Sequence, residues 1–190
     1  MASTIVTGGA GFIGSHLVNK LLQENHNVIV IDNLRTGSEV NLNKNAHFIN
    51  ADLSSEATFS HLPNDVDYIF HLAAQASNEA SCDDPIWDIK ANTISTLNLL
   101  RYAKKIKIKK FLFTSTMGVY CDSKNVSTEL SKIEPNAFYG IHKRASEEYI
   151  RIFSDEGMPT TILRLFNVYG PGQNMTDLRQ GMLSIYMSFI

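Results

Sequence analysis

Tyr139 and Lys143 stand four residues apart in Tyr139-Gly140-Ile141-His142-Lys143, a spacing that puts both side chains on one face of a helix. A phenol titrates near ~10 and is a poor base at neutral pH. An ammonium beside it, together with a positively charged ring, favours the phenolate and makes the phenol an acid/base group. By spacing alone the pair is as easily a surface contact. It gains weight from a hydroxyl-rich turn upstream, Phe113-Thr114-Ser115-Thr116-Met117-Gly118-Val119-Tyr120, expected at the end of an apolar strand.

A second constellation lies at the N-terminus. In Thr7-Gly8-Gly9-Ala10-Gly11-Phe12-Ile13-Gly14, the residues Gly8, Gly11 and Gly14 fall three apart between a strand and an apolar helix. That spacing suits a tight turn, the close approach of a pyrophosphate and tight helix–strand packing. The helix start adds free N–H groups and a partial positive charge. Asp32 ends the next strand, 18 residues after Gly14, where a carboxylate can accept from ribose hydroxyls. A glycine cluster alone is a plain βα turn; with the strand, helix and acid it predicts a dinucleotide site. Asp32 would repel a 2′-phosphate, which favours NAD over NADP. Arg35 could grip such a phosphate, but is read as a solvated loop residue.

The elements that must position these groups alternate. Strands are predicted at Ser3–Thr7, Asn27–Asp32, Ala46–Asn50, Asp67–Leu72, Lys110–Thr114 and Thr160–Leu165, and helices at Phe12–Glu24, Ile86–Lys105 and Ala137–Gly157. Continuously apolar strands such as Val28-Ile29-Val30-Ile31 expect cover on both faces, and βαβ crossovers imply a parallel, doubly wound α/β sheet. The longest structureless stretch is Cys121–Asn136. Ligands in such folds bind at the C-terminal ends of the strands, where both constellations fall.

These motifs occur in order with Asp32-Asn33, Asp52-Leu53, His71-Leu72-Ala73-Ala74-Gln75 and Arg164-Leu165-Phe166-Asn167-Val168-Tyr169-Gly170-Pro171. The chain thereby resembles the extended short-chain dehydrogenase/reductases of the NAD-dependent epimerase/dehydratase family, over nearly its whole length. The resemblance implies a Rossmann-type fold with NAD as cofactor and a nucleotide-diphosphate sugar as substrate. It implies that Gly8, Gly11, Phe12, Ile13 and Gly14 line the pyrophosphate, and Asp32 and Asn33 the adenosine ribose. Asp52 and Leu53 would hold the adenine, although Asp52 alone reads as a helix cap. Leu72, Ala73, Ala74, Gln75 and Thr114 would run along the cofactor, Asn92 would reach its middle and Phe166 would lie near the nicotinamide. Thr116, Tyr139 and Lys143 would be catalytic: Thr116 bonds the reacting sugar hydroxyl, Tyr139 exchanges its proton, and Lys143 binds the nicotinamide ribose while lowering the tyrosine pKa. Asn167 would meet the substrate diphosphate.

The expected reaction is epimerisation, at C4, through a keto sugar. A dehydratase of this type carries Asp-Glu after its catalytic Thr, whereas Met117-Gly118 follow Thr116 here. A keto-sugar reductase or dehydrogenase stays open, as does a catalytically inert NAD-binding fragment. Other residues are given bland roles. His71 is read as a packed histidine, His142 as a variable position, Trp87 with Leu97, Leu99 and Leu100 as core or interface, and Lys104 to Lys110 as a solvated helix end.

The chain has 190 residues, 44% hydrophobic and 19% charged, with a net charge of −2. That balance gives no electrostatic reason for nucleic acid or an anionic membrane as partner. No apolar run reaches the ~18 residues of a membrane span, and a cytoplasmic location is expected. Cys82 and Cys121 lack metal-ligand spacing; no metal is expected, and both are read as reduced, packed residues. Residues 1–165 are expected to form the NAD domain and 166–190 the start of a substrate lobe that is mostly absent. The apolar pattern Met182–Ile190 breaks off without a stop signal. A homodimer is expected through the helices at Ile86–Lys105 and Ala137–Gly157, as in the four-helix interface of the family.

Overall fold

The computed structural model describes residues 1–120, 126–174 and 186. Six strands form one parallel sheet: β1 Ser3–Thr7, β2 Asn27–Asp32, β3 His47–Asn50, β4 Tyr68–His71, β5 Lys110–Thr116 and β6 Thr160–Leu165. Their order is β3-β2-β1-β4-β5-β6, so the chain reverses its direction of travel between β1 and β4. The helices are α1 Phe12–Gln23, α2 Asn78–Asp83, α3 Pro85–Ile89, α4 Ser95–Ile106 and α5 Phe138–Asp155. This is the doubly wound α/β sheet that the alternation of elements predicts.

Strand periodicity divides the core in two. Ile5, Ile29 and Ile31 point to one face, where they pack with Ile69, Leu99, Leu100, Phe111, Phe113 and Ile150. Their neighbours Val6, Val28 and Val30 point to the other face, against Val18 and Leu21 of α1. Each side chain of this size, fully buried, contributes about 1.5–3 kcal/mol. No face of the central strands is left to water, which explains their unbroken apolar runs.

Register sets the heights of the strand ends. Thr7 pairs with Ile31 on one side and His71 on the other. Phe113 is level with His71, so Thr114, Ser115 and Thr116 run beyond β4 and pair only with Leu163 to Leu165 of β6. The predicted strand at Lys110–Thr114 is therefore two residues too short, and the hydroxyls lie on a strand rather than in a turn.

Other boundaries also differ. The single helix expected at Ile86–Lys105 is α3, a π-helical turn at Lys90–Ile94, then α4. It starts at Pro85, capped by Asp84, whose Oδ1 accepts the Trp87 N–H at 2.8 Å; an acid before a proline at the first helical position is a start signal. Helix α2 and the 3-10 turns at Glu39–Asn41, Glu56–Ser60 and Met117–Val119 are additional. Within Cys121–Asn136, Tyr120 at its border bridges Ile133. Cys82 is exposed, against the expectation of a packed cysteine; Cys121 lies outside the described residues. So does the predicted helix Met182–Ile190, Tyr186 excepted. Among the described residues no helix is long and apolar enough to cross a membrane.

Candidate active site

Two cavities lie along the C-terminal edge of the sheet and meet over Gly8, Gly11, Leu72 and Ala74, which line both. The larger, about 440 Å³, is lined by Asp32, Asn33, Asp52, Leu53, Ala73 and Gln75. The second, about 330 Å³, is lined by Phe12, Ile13, Gly14, Thr114, Thr116, Tyr139, Lys143, Phe166 and Asn167. Both are of ligand-binding size. Of the expected site residues, Asn92 alone lines neither.

The glycine turn beside this junction is bare backbone for steric reasons. Gly8 has φ +71°, and a Cβ there would lie 2.6 Å from the Ala73 nitrogen; one on Gly14 would lie 2.1 Å from the Gly8 carbonyl oxygen. Asp32 is 9% exposed. Its Oδ2 accepts the Ala10 N–H at 3.1 Å and its Oδ1 the Leu34 N–H at 2.9 Å. Each carboxylate oxygen retains an acceptor site. Asp52 folds its own loop, its Oδ1 accepting the Ser54 N–H at 2.8 Å, and caps no helix. The Asn98 amide holds that loop by donating to the carbonyls of Leu53 and Ser54, both at 3.2 Å. Two chambers joined over Gly8, Gly11, Leu72 and Ala74, one bearing an acceptor-rich acid, have the shape and polarity for a two-part ligand such as a dinucleotide.

In the second cavity α5 brings Tyr139 and Lys143 beside the end of β5. Burial pushes the Tyr139 phenol up to about 12, while a hydrogen bond with Thr116 pulls the other way. Lys143 is 2% exposed, with its Nζ 4.3 Å from the centroid of the Phe113 ring. Burial pushes its ammonium down to about 7, opposed by the charges of Glu147 and Asp88. The expectation that Lys143 lowers the tyrosine pKa is thus corrected for the protein by itself. A desolvated lysine at that pKa carries only part of its charge at neutral pH, and Thr116 is the side chain that favours the phenolate.

A network that the sequence reading misses lies behind these residues. Asp88 is fully buried; its Oδ1 accepts from Gln75 Nε2 at 2.6 Å and Asn92 Nδ2 at 2.8 Å, and its Oδ2 meets His142 Nδ1 at 2.5 Å. Gln75 therefore lines the cleft but turns its amide inward. Asn92 also donates to the Gln75 carbonyl at 3.1 Å, which holds it away from the cavities, in correction of its expected reach to the cofactor. His142 is a paired group rather than an idle helix position. Below Lys143, Glu147 accepts a bidentate pair from Arg164 at 2.9 and 2.8 Å and the Ser115 hydroxyl at 2.6 Å, fixing α5 to β5 and β6. His71 is packed and satisfied as expected, between Thr7 at 2.7 Å and Thr96 at 2.9 Å. Trp87 and Arg35 depart from expectation: both line the larger cavity, and the guanidinium lies on the indole. The spacing of Asp88 and Asn92, four apart on a helix, was a readable signal; the distant partners were not. Among the described residues no cluster of three metal-ligating side chains occurs.

Known proteins share this architecture. Residues 4–188 match the NAD dependent epimerase/dehydratase family. UDP-glucose 4-epimerase of Thermotoga maritima, solved with UDP-glucose, is 41% identical with a TM-score of 0.91, over 97% of this chain and 61% of that one. A Thermus thermophilus UDP-glucose 4-epimerase solved with NAD is 34% identical with a TM-score of 0.86, over 98% of this chain and 61% of that one. UDP-glucuronic acid decarboxylase 1 of Xenopus tropicalis is 37% identical over 182 residues, 92% of this chain and 43% of the relative. The chain thus spans about three fifths of the length of these epimerases. It belongs to the NAD-dependent epimerase/dehydratase family, and NAD is its cofactor.

Proposed function

We propose that the chain forms the cofactor-binding and catalytic part of a nucleotide-sugar epimerase acting at C4. The observation that carries this is the meeting of Tyr139, Thr116 and Lys143 in one cavity beside the glycine turn, with Met117-Gly118 where a dehydratase would carry an acid pair. Residues 1–165 are the NAD domain in this reading, and 166–190 open the substrate lobe. Gly8, Gly11, Phe12 and Ile13 seat the diphosphate, Asp32 and Asn33 the adenosine ribose, and Asp52 and Leu53 the adenine. A nicotinamide held there would supply the acceptor and donor of the hydride exchanged with the sugar.

The protein handles the proton. Thr116 accepts or donates at the sugar 4-hydroxyl and orients it toward Tyr139. The phenolate of Tyr139 takes that proton as C4 is oxidised, and returns it after the keto sugar has turned to offer its other face. Oxidation and reduction cancel, so cofactor and proton end where they began. Lys143 holds the nicotinamide ribose, and Asn167 the sugar's diphosphate. The exposed Ile86, Ile89 and Ile94 and, on α5, Phe138, Ile141 and Ile152 supply the apolar faces of a helix-mediated homodimer.

The decarboxylase relative gives a second reading with the same first step. Oxidation of a uronic acid at C4 creates a β-keto acid, which loses carbon dioxide without an added acid pair. Incubation with UDP-glucose, UDP-N-acetylglucosamine and UDP-glucuronic acid, with products resolved by NMR, separates the readings. Interconversion of 4-epimers without net NADH supports the epimerase. A pentose product with carbon dioxide supports the decarboxylase, and stoichiometric NADH a dehydrogenase.

A further inference from the structure

Trp87 is the only tryptophan of the chain, and the Arg35 guanidinium carbon lies 3.9 Å from the centroid of its ring. The two side chains come from different segments. Arg35 belongs to the loop after β2, where its N–H donates to Asn33 Oδ1 at 3.1 Å. Trp87 belongs to α3, where Asp84 Oδ1 accepts its N–H at 2.8 Å. Both backbones are thus held locally, and both side chains line the chamber that contains Asp32 and Leu53. A planar guanidinium on an indole face is an attractive cation–π contact, and here it ties the loop to the helix over one cavity.

We propose that the Arg35–Trp87 stack is a clasp across the adenosine half of the cleft that slows the release of the dinucleotide. Asp32 and Asn33, beside the base of the clasp, select and hold the ribose; the stack controls how readily that half of the cofactor leaves. The inference rests on NAD binding alone and is independent of which sugar is turned over. Retention suits any cycle in which the same cofactor molecule must give back the hydride it took.

The test loads the chain with NADH, chases it with excess NAD and follows release through the fluorescence of NADH. Arg35→Ala and Trp87→Ala should each accelerate release by about 2- to 30-fold, the range of one cation–π contact. The double variant should release no faster than the faster single one. Trp87→Phe, which keeps an aromatic face, should fall between and provides a well-folded comparison. Saturating NADH should also quench the Trp87 emission of the unsubstituted chain. Unchanged release in the single variants overturns the clasp, as does unchanged Trp87 emission. An Arg35→Ala effect that persists in full beside Trp87→Ala also overturns it, because Arg35 would then act on the cofactor directly.

Discussion

A phenol whose pKa stands at about 12 gives up its proton reluctantly, so the burial of Tyr139 defines what the rest of the site must supply. Thr116 supplies one hydrogen bond toward the phenolate. Lys143, pushed to about 7, would gain charge beside an anionic phenolate, because an opposite charge favours the ammonium. Two variants separate these roles. Tyr139→Phe should lower turnover by about 10²- to 10⁴-fold, the usual worth of a positioned acid/base group, and leave NAD affinity near its starting value. Lys143→Ala should lower both if, as proposed, its ammonium holds the nicotinamide ribose and meets the phenolate once that forms. Turnover assays beside calorimetric titration with NAD check the pair; near-normal turnover in Tyr139→Phe would remove it from the chemistry. At this scale the sequence was most readable. Glycines, an acid at a strand end and a tyrosine–lysine pair are local patterns that chemistry dictates. Asp88 with His142, 54 residues apart, and Glu147 with Arg164, 17 apart, are brought together by the fold, and no local pattern announces them.

Among the elements, α5 and the 3-10 turn Met117–Val119 determine whether Tyr139 meets Thr116. Their contact is backbone to backbone: a Cβ on Gly140 would lie 2.4 Å from the Gly118 carbonyl oxygen and 3.0 Å from Pro135 Cβ. Backbone cannot rotate away as a side chain can, so Gly140→Ala must shift the start of α5. We expect a loss of about 1–3 kcal/mol of stability, as for other overpacked sites, and a fall in turnover larger than the change in NAD affinity. Thermal unfolding and kinetics of the one variant check this; full turnover in a destabilised protein would show that the contact serves packing alone. The strands, by contrast, were nearly all legible, because runs such as Val28-Ile29-Val30-Ile31 have only one way to be buried on both faces. The π-helical turn at Lys90–Ile94 was not. Its residues have ordinary helical character, and the extra residue in the turn leaves no trace in an apolar period.

At the scale of the whole molecule, the point where the sheet reverses is tied by an uncharged knot. The Ala73 N–H donates to Thr7 Oγ1 at 3.1 Å, and the Thr7 hydroxyl faces His71 Nδ1 at 2.7 Å. On the other side, His71 Nε2 faces Thr96 Oγ1 at 2.9 Å, and that hydroxyl donates to the Asn92 carbonyl at 2.6 Å. With its proton committed to Asn92, Thr96 must accept from Nε2–H, and Nδ1 must accept from Thr7. This order needs a neutral ring, and burial pushes His71 down from 6.5 to about 3. Between those values the unfolded chain binds a proton that the folded one refuses. Stability contributed by His71 is therefore complete above pH 6.5 and is lost as the pH falls toward 3, by about 1.4 kcal/mol for each unit in that interval. Carboxylates held down by partners, Asp67 and Glu147, act from their ordinary values of 3.8 and 4.5 downward, and Lys143 acts between 10.5 and about 7. The decline between pH 6.5 and 5 should accordingly trace to His71. Urea unfolding across that interval should show falling stability for the unsubstituted chain. In His71→Gln, whose amide can still donate to Thr96, stability at pH 7 should be lower but its slope against pH much flatter. An equal slope in the variant would place the acid sensitivity elsewhere and leave the knot a packing feature only.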